Sequence, residues 1–386
     1  MKNEYKSFIR NYLISSSLYD FIFAYAIYTV FFSINGLSPF EISLILAWWA
    51  FVSVILEIPS GALADHWSRK KLLVIAPIIK SFCFIIWVFA KGNIYLYGLG
   101  FVFWSIGSAF VSGTSEALLY DHIVYYNKKE NYEKILGKKK FYLYVGNALS
   151  VALGGIIAHY SLEWTLILSI IPLLLSSIFA TLIKEVRKVE STEDIHYIDH
   201  IKEAYKEVKN NNKLFYLLLY SLGISIFRNL EEFDQLYYEL IKVPLFYFGF
   251  LATIYFGVSA IGSKYAHKFK NSNRIFWLFP LLSWILLIFV GMSPSIPMIL
   301  FLMLSYFIIS PLRTLNDAKI QHTIKSQSRA TVTSIDSLFL NLFGIIFVVL
   351  AGIVSKLWNL EAIYTWTWIL LILFSIWSLL KRNFLS

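Results

Sequence analysis

The sequence predicts an all-helical membrane protein with twelve spanning helices in two six-helix halves. Three observations predict it. Of 386 residues, 58% are hydrophobic and only 15% are charged, well below the roughly 25% charged share of a soluble domain. The apolar residues gather into runs of about 20, the length that crosses the hydrocarbon core of a bilayer. The cations are segregated: 28 of the 34 Lys and Arg fall at the termini and in every second connection. That asymmetry orients helices with their cations on the cytoplasmic side, so both termini are expected there.

The runs lie near 12–34, 41–64, 72–90, 94–120, 141–160, 163–183, 214–240, 245–266, 275–291, 297–318, 330–354 and 361–380. The charged start of the chain imitates a signal peptide, but the run that follows is too long and contains Asp20, so it reads as the first span. The connections are short except 121–140 and 184–213. The second lies at the midpoint and divides the chain into 1–183, a cytoplasmic linker 184–213, and 214–386. Within the linker, Ile195, Ile198, Ile201, Tyr205 and Val208 recur at helical spacing, as in an amphipathic helix lying on the inner membrane surface or an ordinary linker helix.

Several classes are excluded. Cys83 stands alone, so neither a disulfide framework nor a cysteine metal site is available. The formal charge of +10 sits in short loops and does not indicate a nucleic-acid partner. There is no phosphate-binding G-x-x-x-x-G-K-[ST], no G-x-S-x-G elbow and no H-E-x-x-H pair, so no enzyme, cofactor or metal is expected. His196 and His200 are four apart on the linker helix and read as a solvated face.

Between spans 2 and 3 stands "GALADHWSRKK", residues 61–71. The spacing of Gly61, Leu63, Asp65, Arg69 and Lys70 resembles the loop 2–3 signature of the major facilitator superfamily. "SGTSEALLYD" at 112–121 and "SRATVTSIDS" at 328–337 resemble stretches common in its bacterial drug-efflux-type members. The chain departs from the family pattern at Ser68, usually Gly, and at Phe103, where the span 4 signature carries Arg. It departs again at Ser150 and Val151, where span 5 usually carries Gly-Pro.

The resemblance implies a secondary transporter of the bacterial inner membrane, a multi-pass monomer that moves a small-molecule substrate by alternating access. The first expectation is proton-coupled export of small amphipathic drugs or toxic metabolites. The alternative is uptake or export of a zwitterionic or anionic metabolite, peptide or siderophore, and a lesser one is a non-transporting membrane sensor. A conformational latch is expected from Gly61, Asp65, Arg69, Lys70 and Asp121. In it, Gly61 permits close helix approach, Asp65 faces the N-terminus of span 11 capped by Ser328, and Arg69 reaches Asp121.

Charges inside a bilayer are costly and need a purpose or a partner. In the implied fold, spans 1, 4, 7 and 10 line the central cavity. Asp20 lies roughly 10–12 Å into span 1, counted at about 1.5 Å per residue, and has no partner at helical spacing. A buried acid without a counter-charge takes up a proton readily, so Asp20 is the first candidate for proton coupling. Pairing with Lys80 is the structural alternative. Glu116 is the second coupling candidate, or else a charge near the headgroups, as Glu57 in span 2 is. Asp20, Tyr25, Arg228, Glu232, Arg313 and Asp336 are the expected cavity residues. Arg313 and Asp336 are placed to pair, and Glu231 and Glu232 follow Arg228 at i+3 and i+4 and can neutralise it. Glu231, Glu232 and Asp234 are expected as a cluster near the outer mouth. Lys80, in a peripheral span, is expected to snorkel to the inner surface.

Overall fold

A computed structural model describes residues 2–66, 68–112, 114–128, 131–184, 186, 208–269, 272, 274–323 and 329–381. The expected linker helix and Ser328 fall outside the described residues, as do the side chains of Glu57, Gly61 and Asp65. The described residues contain helices and no strand. In chain order they are α1 (Lys2–Tyr19), α2 (Tyr28–Ile34), α3 (Pro39–His66), α4 (Arg69–Ala90), α5 (Ile94–Val111), α6 (Thr114–Tyr125), α7 (Tyr132–Tyr160) and α8 (Leu162–Thr181). After the linker come α9 (Asn212–Leu230), α10 (Asp234–Leu240), α11 (Phe248–Lys264), α12 (Ile275–Met292), α13 (Met298–Thr323), α14 (Arg329–Leu357) and α15 (Ala362–Leu380).

Local chemistry sets the boundaries. Ser38 and Glu41 form a reciprocal capping box ahead of Pro39: Glu41 accepts from the Ser38 N–H at 2.8 Å, and Ser38 Oγ accepts from the Glu41 N–H at 3.3 Å. Ser68 Oγ caps α4 by accepting from Lys71 N–H at 3.1 Å. That helix ends where Lys91 and Gly92 turn left-handed, with φ of 42° and 83°. Asn93 then caps α5 through Tyr95 N–H at 2.9 Å.

Eleven stretches among the described residues are long and apolar enough to cross a membrane. The segment expected as the seventh span, 214–240, is helical but is not one of them. The apolar run of α9 is bracketed by Asn212 and Lys213 at one end and by Arg228 and Asn229 at the other, and Glu231 and Glu232 follow directly.

The chain divides into two compact units. One comprises Met1–Leu37, Trp48–Thr192 and Pro244–Thr253; the other comprises Ser38–Ala47, Glu193–Val243 and Ile254–Ser386. Each half of the sequence thus contributes a short segment to the unit built mainly from the other half.

The first unit packs α4 against α5 and α8. Its aromatic core centres on Trp87, with the Phe32 and Phe101 rings both 4.9 Å away and Trp104 stacked at 5.9 Å. Gly100 lies under the indole, whose Nε1–H donates to Tyr97 O at 3.0 Å. The first span is broken. α1 stops at Tyr19, Asp20 turns, a 3₁₀ turn covers Phe23–Ala26, and α2 resumes at Tyr28. The freed backbone finds partners: Ala24 N–H donates to Ser169 Oγ at 3.1 Å, and Ile22 N–H to Asp20 O at 3.0 Å. Gly154 of α7 lies flat against the Phe23 carbonyl, leaving no room for a Cβ. The next residue, Gly155, packs backbone to backbone on Gly249, and Thr253 Oγ1 donates to Ala148 O at 3.3 Å.

In the second unit, α12 packs against α13 and α15, and α9 against α13 and α14. Ser43 fills the hollow over Gly352, and the Lys356 ammonium lies 4.8 Å from the centre of the Phe40 ring. Tyr220 and Tyr237 donate from their hydroxyls to Phe276 O at 2.8 Å and Val290 O at 3.0 Å, so neither buried phenol is left unpaired.

Gly154→Leu is expected to destabilise the intact protein by about 1–3 kcal/mol through overpacking against Phe23. Gly137→Ala, where a Cβ meets nothing within 4 Å, should leave thermal unfolding in detergent unchanged or raised. Equal melting temperatures for Gly154→Leu and the wild type would refute the packing role.

Candidate functional site

The interruption of the first span sets Asp20 at the end of α1, and α4 supplies the charge that meets it. Lys80 Nζ lies 3.2 Å from Asp20 Oδ1, and Tyr25 donates to the same oxygen at 3.3 Å. The ammonium also sits 4.3 Å from the Tyr19 ring centre and 4.6 Å from that of Trp104, a cation–π cage. Gly107 of α5 explains the position: any Cβ there would strike the Lys80 stem and the α4 backbone. The Lys80 side chain is 1% exposed. This corrects the expectation that it snorkels to the surface. Asp20, at 28%, is the accessible member of the pair. It borders a small cavity of about 100 Å³ that Tyr12, Ser115 and Lys139 also line.

Glu116 is exposed in the first turn of α6, 3.9 Å from Lys139 Nζ. Lys139 donates to Ser115 Oγ at 3.1 Å. On the same helix, Asp121 is buried and accepts from Arg69 Nη1 at 2.5 Å. Lys70 follows Arg69 in the first turn of α4. His122, next to Asp121, is fully buried and stacked 3.8 Å from Phe8. Its ring nitrogens lie 2.8 Å from Leu118 O and 2.8 Å from Lys184 O. This one residue ties the end of α6 to α1 and to the chain leaving α8.

The second unit holds a larger cavity of about 380 Å³, lined by α9, α11, α13 and α14. Arg228, Arg313, Asp317 and Asp336 all face it, among serine hydroxyls and Tyr255. Arg313 and Asp336 share this cavity but form no ion pair with each other. Asp317, one helical turn beyond Arg313, supplies its nearby negative charge. Asn316 donates to Leu217 O at 3.2 Å and to Ser221 Oγ at 2.9 Å, and Ser221 in turn hydrogen-bonds Asp336.

The three acids expected as a cluster stay close enough to repel one another but take different partners. Glu231 hydrogen-bonds Tyr255. Glu232, in the same 3₁₀ turn, is partly buried. Asp234 is 5% exposed and clamped by the Tyr306 and Tyr364 hydroxyls at 2.8 and 2.9 Å. Asp234 is thus enclosed and held by two phenols.

The structure therefore gathers Asp20 and Tyr25 at one group in the first unit, and Arg228, Arg313 and Asp336 at one cavity in the second. Sequence reasoning named the Asp20–Lys80 pair only as the structural alternative, and it missed Lys139, Asn316 and Asp317. Asp317 alone had a readable signal, its i+4 spacing from Arg313. Removing one member of a buried ion pair costs about 3–5 kcal/mol when the other charge is stranded. Asp20→Asn is accordingly expected to lower stability more than Lys80→Met. The double variant Asp20→Asn/Lys80→Met should recover at least half the loss in reversible unfolding. Strictly additive losses would show that the two residues do not act as a pair.

With this geometry, comparison with known proteins is informative. The Major Facilitator Superfamily family model matches residues 12–346. By sequence alone, no curated protein matches significantly. Among solved structures, the chain is similar to the nucleoside transporter NupG, with a TM-score of 0.76 and 13% identity over 99% of this chain and 98% of that one. It is similar to a bacterial homologue of the human lysosomal transporter Spinster, with a TM-score of 0.73 and 16% identity over 100% and 97%. It is also similar to the xylose transporter XylE from E. coli, with a TM-score of 0.70 and 14% identity over 97% and 96%. These are transporters, not enzymes, and identities this low carry the fold alone. The family match spans most of the sequence and agrees with the helical architecture, so the chain belongs to the Major Facilitator Superfamily.

Proposed function

We propose that this protein is a secondary active transporter with twelve spans, α9 and α10 forming the seventh. It would move a small solute by alternating access of residues 1–183 and 214–386, across the cytoplasmic membrane of a bacterium, with both termini inside. The observation that carries this reading is the interruption of three spans where ionisable groups cluster. The first breaks at Asp20, the fourth between α5 and α6 just before Glu116, and the seventh at Glu231–Phe233 beside Arg228. Unwound segments at membrane depth are tolerated where they serve a cavity or a binding site.

Protons are the proposed coupling ion, with Asp20 as the acceptor and Glu116 as a secondary one. Asp20 is the accessible partner of Lys80. A proton arriving there cancels the charge that holds the buried ammonium, which links protonation to a change in packing around Lys80. Of the two cargo classes expected from the sequence, amphipathic drugs and charged metabolites, the charged and hydroxyl-rich lining around Arg228, Arg313 and Asp336 favours the second. Export, as the direction, rests on the resemblance of residues 112–121 and 328–337 to efflux-type members. The Arg69–Asp121 bond, with Gly61, Asp65 and Lys70, is proposed as the cytoplasmic latch.

The test uses proteoliposomes with an entrapped pH dye and a panel of nucleosides, pentoses, amino acids, dipeptides and amphipathic cations. At least one solute should move protons with wild-type protein and not with empty vesicles. Asp20→Asn should lose uphill accumulation yet retain downhill counterflow of the same solute. Proton-coupled accumulation that persists in Asp20→Asn would remove Asp20 from the coupling path. For the latch, Arg69→Ala should shift the distance distribution between spin labels on the two halves; an unchanged distribution would refute it.

A further inference from the structure

The cavity of the second unit carries more information than its polarity. Arg228 and Arg313 both face it, near enough to repel each other. Two guanidiniums converging on one space inside a membrane favour an anion between them, and their planar forks match a carboxylate. The other end of the cavity has the opposite need. Asn316 is 1% exposed. Its amide N–H groups are committed to Leu217 O and Ser221 Oγ, and its Oδ1 is buried without a donor. Asp336 Oδ1 is likewise buried without a donor. Ser221 accepts from Asn316, so its own proton is directed to Asp336, and one hydroxyl links the two side chains. A buried acceptor left without a donor costs about 1–3 kcal/mol. Two of them in one cavity therefore point to a missing donor.

We propose that this cavity binds a small zwitterion, with its carboxylate between Arg228 and Arg313 and its ammonium donating to Asp336 and Asn316. The apolar strip of Ile224, Ile309, Ile320 and Leu340 takes an aliphatic substituent. This rests on the transporter reading above and assigns its substrate class. A lipophilic cation meets two like charges here. A neutral sugar or nucleoside supplies donors but brings no anion to two guanidiniums whose nearby acids, Asp317 and Glu232, lie on their own helix or next to it. A few hundred Å³ suits a metabolite of this size.

The experiment compares L-leucine and L-leucyl-L-leucine with 4-methylpentanoate, which lacks the ammonium, and 3-methylbutylamine, which lacks the carboxylate. Binding is read by thermal stabilisation of the intact protein in detergent, and transport by flux in proteoliposomes. At least one zwitterion should bind about tenfold or more tightly than either single-charge analogue. Arg313→Gln should weaken the zwitterion and 4-methylpentanoate alike. Asp336→Asn should weaken the zwitterion and spare 4-methylpentanoate. Arg313→Lys, which keeps the charge, guards against a folding defect and should retain part of the affinity. The proposal is overturned if neither zwitterion stabilises the protein, if 3-methylbutylamine binds as well as leucine, or if both substitutions leave affinity unchanged. Zwitterion binding without flux would support this assignment and sink the transporter reading. Flux of other solutes without zwitterion binding would do the reverse.

Discussion

A bilayer offers no water to a stranded polar group, and this chain is organised around that constraint. Its consequence is clearest at the first span, where the helix unwinds between Tyr19 and Tyr28. The exposed backbone is recovered by Ser169 Oγ, which accepts from Ala24 N–H, and by Asp20 O, which accepts from Ile22 N–H. The charge at the break is recovered by Lys80, sixty positions away. The same logic governs Asp234, held by two tyrosines, and Asp121, held by Arg69. The constraint is left open at Asn316 Oδ1 and Asp336 Oδ1, the two acceptors to which we assign a bound ammonium.

The units differ in how they hold charge. In the first, a single ammonium is enclosed by aromatic faces and one carboxylate, so its electrostatics are local and largely closed. In the second, two guanidiniums and two carboxylates share one cavity with hydroxyl groups. Burial without a partner is the costlier state in a low dielectric. We propose proton sensing at the closed group and solute uptake at the open one. The division of labour proposed here follows from that contrast.

Much of the architecture was legible because hydropathy is a local quantity. Eleven of the expected spans are recovered among the described residues. The seventh is not among them because Asn212, Lys213, Arg228 and Asn229 bracket its apolar run. Arg69 and Asp121 were legible through the motif and the positive-inside pattern, which set both at one membrane face. The break at Asp20 was not legible: "DFIFAYAIY" contains neither Gly nor Pro and reads as continuous helix. The burial of Lys80 was hidden for a different reason. Its burial is dictated by Gly107 and Trp104 on another helix, and spacing along its own helix holds no trace of them. Asn316 and Ser221, 95 residues apart, likewise meet only in three dimensions.

The exchange of short segments between the units bears on how the protein is made. Pro244–Thr253 completes the first unit, yet it is synthesised after the linker and all of α9 and α10. At roughly 5–20 residues per second, the first six spans wait several seconds in the membrane with the Gly154–Gly155 face of α7 only partly covered. During that interval Gly155 lacks the Phe246–Gly249 backbone that packs on it. Biogenesis of this protein thus contains a vulnerable window that closes only when α11 arrives, and a chaperone or insertase acting on it would be most needed there.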